Sequence, residues 1–90
     1  MGIAAVKIKI MPSSPTVNTK KIGEKAKELI ESTGGKNCTI SEEPIAFGLN
    51  AIITFFAWPE EKELEKLEEK LSKIKDVNSV QVIDMRRAFG

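Results

Sequence analysis

Few side chains in this sequence could carry out acid–base, nucleophilic or metal chemistry. The chain contains no histidine and one cysteine, Cys38, so it lacks the commonest general base and cannot form an intramolecular disulfide. A metal site built from imidazole or thiolate ligands would be short of ligands. We interpret Cys38 as a small, buried or half-buried strand residue rather than a reactive thiol. Glu42 and Glu43 are expected to be solvated turn acids, because neighbours in a turn point apart.

Two glycines followed by a lysine, at Gly34, Gly35 and Lys36, resemble the end of a phosphate-binding loop. The motif fails at two positions, since Ile30 stands where its first glycine should be and Asn37 replaces its serine or threonine. The glycines also follow a predicted helix instead of preceding one, so their amides would not face a bound phosphate. We therefore expect no cofactor, no direct nucleotide binding and no bond chemistry in this chain.

An aromatic residue beside a glycine, Phe47 and Gly48, stands at the mouth of a predicted strand beyond Pro44. The strand pattern alone favours Phe47 as a core residue and Gly48 as a β-bulge. In the functional alternative, Phe47 is an anchor that inserts into the pocket of a partner protein.

Two arginines, Arg86 and Arg87, follow the last apolar strand of the sequence. The structural interpretation is a solubilising charge at a frayed strand end. The functional interpretation is a basic tip directed at an acidic or phosphate-bearing partner.

The composition excludes several classes of protein. The 90 residues are 41% apolar and 30% charged, with a formal net charge of +1. This composition is that of one small soluble domain, residues 1–90, that is neither disordered nor membrane-spanning. The balanced charge also argues against purely electrostatic binding to nucleic acid. We expect a cytoplasmic location and neither a membrane nor a nucleic acid as partner.

Hydrophobic periodicity predicts six elements. In residues 1–11, Val6, Ile8 and Ile10 alternate with Lys7 and Lys9, which indicates a strand with one buried face. Two helical stripes follow, the first comprising Ile22, Ala26, Leu29 and Ile30 and the second Leu64, Leu67, Leu71 and Ile74. We expect the first helix to begin after an Asn18 cap and to end at Gly34 and Gly35. Pro59 is predicted at the first position of the second helix, with Glu60 and Glu61 as acids in its first turn.

The remaining segments predict strands at residues 37–43 and 45–58 and a last strand from Val80 onward. The second of these is the most apolar and should be central, with alternate residues on opposite faces. One face would carry Leu49, Ala51, Ile53 and Phe55, and the other Asn50, Ile52, Thr54 and Phe56. We leave open whether Ile52 and Phe56 are covered by a second copy, by a partner or by solvent.

The resulting order is β-α-β-β-α-β. Two right-handed crossovers in so short a chain predict an α+β ferredoxin-like sandwich, in which both helices cover one face of a four-stranded antiparallel sheet.

Three segments make the sequence similar to a known family. They are the first strand ending in Met11-Pro12, the run Glu-Glu-Pro-Ile-Ala-Phe-Gly-Leu at residues 42–49, and the closing Asp-Met-Arg-Arg at residues 84–87. With them the whole chain resembles the archaeal elongation factor 1-beta family and, more distantly, the C-terminal exchange domain of the eukaryotic factor.

This resemblance implies a guanine-nucleotide exchange factor that binds the GTPase elongation factor 1-alpha and promotes GDP release and GTP loading. It implies partner contacts at Ala46, Phe47 and Gly48, with Phe47 as the anchor. The eukaryotic relatives place a lysine, next to last in the chain, in the partner's magnesium and phosphate region. This chain has Phe89 and Gly90 near that position, which leaves two alternatives: Arg86 or Arg87 supplies a related charge, or displacement relies on steric contact alone.

A different function on the same fold is RNA recognition. Such a module needs aromatic side chains on the open face of its sheet, and the strand at residues 46–58 does not match the usual signature. Lys7 and Lys9 on that face keep the alternative open.

Overall fold

Residues 2–89 are described by a computed structural model, which includes the side chains of residues 2–87. The elements are β1 (Ile3–Pro12), α1 (Thr19–Ser32), β2 (Lys36–Pro44), β3 (Asn50–Pro59), α2 (Leu64–Ser72) and β4 (Val77–Phe89). Their order confirms the predicted β-α-β-β-α-β sequence.

The four strands form one antiparallel sheet in the order β2-β3-β1-β4. The central strands β1 and β3 pair in a continuous register in which Val6 faces Phe56 and Ile10 faces Ile52. Both helices pack against the same face of this sheet, because their buried stripes join a single core. The predicted ferredoxin-like architecture is therefore confirmed.

The core lies between the helices and one face of the sheet. Every second residue of β1 from Ala4 to Ile10 is buried, as the alternation predicts. The helices contribute their apolar stripes, with Ile22, Ala26, Ile30, Leu67 and Leu71 buried. Ile52 and Phe56 also lie in this core, fully covered by the chain itself. A second copy or a partner is therefore not needed to cover them.

The opposite face of the sheet carries no helix, and we call it the open face. Here Lys7 pairs with Phe55 and Lys9 with Ile53 across β1 and β3. The Lys7 Nζ atom lies 5.7 Å from the centroid of the Phe55 ring, a cation–π distance. Phe55 keeps 44% of its surface exposed.

Helix α1 begins and ends as its sequence predicts. The Asn18 side chain accepts a hydrogen bond from the Lys21 amide at 3.2 Å, which satisfies one of the unpaired donors of the first turn. At the other end Gly34 has a φ of +119°, and the Gly35 amide donates to the Ile30 carbonyl at 2.8 Å. Glycine at Gly34 is favoured because L-residues rarely adopt this conformation.

The predicted start of the second helix is wrong. Pro59 is the last residue of β3 and pairs with Ile3, and α2 begins only at Leu64 after a Glu63 N-cap. Residues 59–62 form a turn instead, closed by a 3.1 Å hydrogen bond from the Lys62 amide to the Pro59 carbonyl. Proline is compatible with the end of a strand as well as with the start of a helix. The pairing of Pro59 with Ile3 places it at the end of a strand.

The described part of the chain, residues 2–89, contains no helix with both the length and the hydropathy needed to cross a bilayer.

We predict that Gly35→Ala lowers the free energy of unfolding by about 2 kcal/mol, the usual cost of overpacking a tight site. A Cβ atom here would collide with the Ile30 side chain and stand 3.0 Å from its carbonyl oxygen. Urea unfolding followed by the fluorescence of the buried Trp58 measures the effect. Lys25→Ala, on the exposed face of α1, is the control and should change stability by less than about 0.5 kcal/mol. A Gly35→Ala protein as stable as wild type would contradict the packing described here.

Candidate functional site

The segment between β2 and β3, residues 45–49, forms a tight turn that we call the Phe47 turn. Its central residues Phe47 and Gly48 have φ angles of +59° and +77°. The Leu49 amide donates to the Ala46 carbonyl at 3.1 Å, and the Ile45 amide donates to the Leu49 carbonyl at 2.8 Å. Positive φ at both central positions is the mark of a type I′ turn, whose twist matches that of the strands on either side.

The Phe47 turn holds its aromatic ring out in solvent. Phe47 is 93% exposed, and Ile45 is also an exposed hydrophobic residue. Type I′ turns favour asparagine followed by glycine, since most side chains are strained at positive φ. A large aromatic at this position therefore costs conformational energy and gains no burial within the chain. Strain of this kind is typical of functional positions.

The sequence pattern therefore misjudged Phe47 in two respects. The interpretation of Phe47 as a core residue and Gly48 as a bulge is wrong, because both lie in the exposed turn. The predicted strand at residues 45–58 begins only at Asn50 for the same reason. An exposed ring is what an anchor for a partner requires, and contact of Ala46, Phe47 and Gly48 with a partner stays a prediction.

Arg86 and Arg87 lie near the end of β4 and point to opposite faces of the sheet. Arg86 pairs with Ala5 on the open face, where its Nε donates to Asp84 Oδ1 at 3.3 Å. Arg87 pairs with Ala4 on the helix side, where it binds the carboxylate of Glu60. The hydrogen bond and charge of Glu60 raise the pKa of Arg87 above its ordinary value.

The Phe47 turn and the two arginines lie at opposite ends of the molecule. The turn precedes Asn50, at the start of β3, whereas Arg87 contacts Glu60, just beyond the end of β3. A ten-residue strand spans about 30 Å at a rise of about 3.3 Å per residue. This length is most of the longest dimension of the fold, 41 Å. Because β3 separates them, the two groups cannot form one local site.

The remaining candidates for chemistry are accounted for by the fold. Glu42 and Glu43 are exposed, as expected, but they lie in β2 and not in a turn. As consecutive strand residues they point to opposite faces, and Glu42 accepts a 2.8 Å hydrogen bond from the Thr19 hydroxyl. The Gly35 amide is used in closing α1, which leaves it unavailable to a phosphate. Among the described residues, no group of three or more acidic, cysteine or histidine side chains could hold a metal ion.

Cys38 is a buried residue of β2, as predicted. Burial, together with the negative charge of Glu31, raises the pKa of its thiol to about 11, while Lys27 acts in the opposite direction. A raised pKa keeps the sulfur protonated near neutral pH and lowers its nucleophilicity.

The arginines at the end of β4 form the second candidate site, and sequence reasoning missed one of its residues. Glu60 was expected to be an acid in the first turn of a helix, whereas it follows β3 and binds Arg87. The two residues are 27 positions apart, and no local spacing signals their contact. Gly90 lies outside the described residues, as does the side chain of Phe89, so their predicted place near the eukaryotic lysine is not described.

Comparison with known proteins defines the class of this chain. Residues 5–88 match the family model described as the EF-1 guanine nucleotide exchange domain. This match covers both the Phe47 turn and the arginines of β4. The chain therefore belongs to the EF-1 guanine nucleotide exchange domain family.

Curated archaeal relatives are similar to this chain over nearly its whole length. The chain is 43% identical over 88 residues to the protein named Elongation factor 1-beta of Methanosarcina barkeri, covering 97% of this chain and 99% of that protein. It is 40% identical over 89 residues to Elongation factor 1-beta of Methanocaldococcus jannaschii, covering 98% of this chain and 100% of that protein. The resemblance to archaeal elongation factor 1-beta is thereby confirmed.

We predict that Phe47→Asn raises the free energy of unfolding by about 1 kcal/mol, because asparagine tolerates the left-handed conformation that strains phenylalanine. The exposed ring loses little burial when it is removed. Phe47→Ala is the matched control, since alanine keeps the Cβ strain and should leave stability within about 0.5 kcal/mol of wild type. Urea unfolding of the three proteins tests this, and a less stable Phe47→Asn variant would argue against a strained turn.

We predict that native Cys38 reacts with a maleimide at pH 8 at least about tenfold more slowly than in urea, since burial and the raised pKa both suppress the thiolate. Because the folded state holds this proton more tightly than the unfolded chain, the free energy of unfolding should fall as the pH rises above about 8.5. Mass spectrometry measures the labelling rates of the native and the urea-unfolded protein. Equal rates in the two states would show that the thiol is accessible in the native protein.

Proposed function

We propose that this chain is a guanine-nucleotide exchange factor that binds the GTPase elongation factor 1-alpha and promotes GDP release during translation. Its membership of the EF-1 guanine nucleotide exchange domain family supports this role. The observation that carries the proposal is the Phe47 ring, 93% exposed at the tip of a strained turn that gains nothing from the ring within the chain. The role belongs to the cytosol, where elongation takes place.

Exchange of this kind is a binding equilibrium in which no bond is made or broken. A factor that binds the nucleotide-free GTPase more tightly than the GDP form must weaken GDP binding by the same ratio. Its binding energy is then available to distort the nucleotide site of the partner. A preorganised surface serves this purpose because little energy is lost in ordering the factor itself.

The separation of the two candidate sites suggests a division of roles. In this proposal the Phe47 turn docks on one part of the GTPase, and the end of β4 acts on its magnesium and phosphate region about 30 Å away. The sheet between them has a continuous β1–β3 register and a fully buried core face, so it holds the two ends at a set distance. Arg86 and Arg87 supply positive charge at the second end.

RNA binding on the open face is the competing function. Phe55 is the aromatic ring exposed on that face among the side chains of residues 2–87, and Lys7 and Lys9 lie beside it. RNA-recognition sheets usually stack two or three bases on aromatic rings, and here Lys7 already lies against the ring. We therefore favour the exchange function.

We predict that the wild-type protein accelerates release of a fluorescent GDP analogue from the elongation factor 1-alpha of the same organism, in excess GTP, in proportion to its concentration. Phe47→Ala should raise the half-saturating concentration about 30-fold, the loss of about 2 kcal/mol typical of an aromatic anchor.

Phe55→Leu is the control for this experiment because it alters an exposed phenylalanine that lies on the open face, outside the Phe47 turn. It should leave release within about twofold of wild type. If folded wild-type protein does not accelerate GDP release from an active GTPase, the exchange function is wrong, and RNA binding at the open face should be tested next. Equal loss in both variants would remove the Phe47 turn as the specific docking element.

A further inference from the structure

We propose that Arg87 is a positioning residue, whose ion pair with Glu60 clamps the end of β4 to the turn between β3 and α2. This inference rests on the proposed exchange function. It assigns Arg87 a role within the chain rather than the contact with the partner that the resemblance implies. It also adds Glu60 to the second site, although no sequence pattern indicates its contact with Arg87.

The Arg87 side chain contacts both carboxylate oxygens of Glu60. Arg87 Nε lies 3.2 Å from Glu60 Oε1 and 3.1 Å from Oε2, and Nη2 lies 3.1 Å from Oε1. The Nε–H is shared between the two oxygens, and the Nη2 distance brings the guanidinium charge close to the carboxylate. Both oxygens of Glu60 are therefore engaged by Arg87.

Glu60 is a well-anchored partner for this contact. Its amide donates to the Gly2 carbonyl at 3.1 Å, which ties the turn to the chain beside β1. At the other side of the turn, the Trp58 indole donates to the Lys62 carbonyl at 3.2 Å and Lys62 Nζ donates to the Thr33 carbonyl at 2.8 Å. These bonds connect the turn to β1, to the core and to the end of α1, so its position follows that of the whole fold.

The backbone of β4 needs such support at this point. β4 is an edge strand, hydrogen-bonded only to β1, and its pairing with β1 shifts register at three places, one of them between Ile3 and Ala4. Ala4 pairs with Arg87 and Ile3 with Phe89, so the irregularity follows Arg87 directly. The register shift makes the backbone ladder irregular here, so a side-chain contact at Arg87 adds support to the strand end.

Arg86 cannot act as this clamp. Its partner Asp84 belongs to the same strand, so their 3.3 Å hydrogen bond does not connect β4 to another element. Arg86 contacts one oxygen of Asp84, whereas Arg87 contacts both oxygens of Glu60. Of the two arginines, Arg86 is the one that can turn to a phosphate of the partner without releasing the strand end.

The expected consequence for exchange is large compared with that for stability. Exposed ion pairs contribute at most about 1 kcal/mol to folding, so removing this pair should leave the protein folded. Displacing a group that acts on a reacting or binding centre by about 1 Å can cost a factor of about 100. We expect the loss of the clamp to lower the maximal rate of GDP release about tenfold. The half-saturating concentration should change less than threefold, because docking occurs at the Phe47 turn.

The test compares Glu60→Ala, Arg87→Ala and the double variant in the GDP-release assay with saturating factor. Under the proposal, each single variant loses about tenfold in maximal rate and the double variant loses no more, because all three remove one interaction. In the free protein, amide hydrogen exchange by NMR should speed up at residues 84–87 in all three. The control pair is Glu63→Ala and Lys66→Ala, which removes an exposed ion pair of 3.9 Å and should alter neither measurement.

The outcome for Glu60→Ala distinguishes the clamp from direct contact. If Arg87 acted on the partner itself, removing Glu60 would leave release unchanged or faster while Arg87→Ala slowed it, and the proposal would be overturned. Unchanged amide exchange in the variants would overturn it as well. Should the wild-type protein fail to accelerate release, the exchange function would be lost, and amide exchange in the free protein would still decide whether the clamp exists.

Discussion

The antiparallel pairing of β1 with β3 is the constraint on which the rest of this structure depends. Its register places Val6 and Ile8 opposite Phe56 and Thr54 on the face that the helices cover. A slip of one residue would turn every core side chain of one strand toward the open face, so burial of these side chains specifies the register strongly. The same pairing determines where each strand ends, and therefore what lies at each end of the molecule. The Phe47 turn and the Arg87–Glu60 contact occupy opposite ends because β3 runs from one to the other.

Conformational strain and burial have separate places in this fold. The core is closed by apolar side chains that agree with their local periodicity, and the described residues leave no buried side-chain nitrogen or oxygen atom without a partner. Three described non-glycine residues have positive φ, and Phe47 is the one that is neither asparagine nor aspartate, so the strain is greatest at this exposed ring. A domain of this size has little stability to spare, so a strained exposed aromatic is better explained by an external contact than by folding.

The charged side chains of this protein act through individual contacts rather than through the long-range field of its net charge. The net charge of +1 gives little long-range attraction, and the arginines of β4 are each already bonded to a carboxylate. Their two partners differ in kind, since Asp84 lies on the same strand and Glu60 on an adjoining turn. Arg87, bonded to a different element, fixes the shape of the surface that a partner would contact. Arg86, bonded to a residue of its own strand, can exchange that bond for one to the partner.

The sequence by itself determined the elements that repeat with a local period: the first strand, the two helical stripes, the Asn18 cap and, through their order, the ferredoxin-like architecture. These features depend on neighbours within a few residues, which is why they can be recognised along the chain. Only the tertiary structure decided that Pro59 ends a strand and that Phe47 stands outside the core. It alone also brought Arg87 to Glu60 and set the two candidate sites about 30 Å apart. The physical reason is that sheet register and strand-end contacts join residues distant in sequence, whose pairing is selected by burial of the whole core.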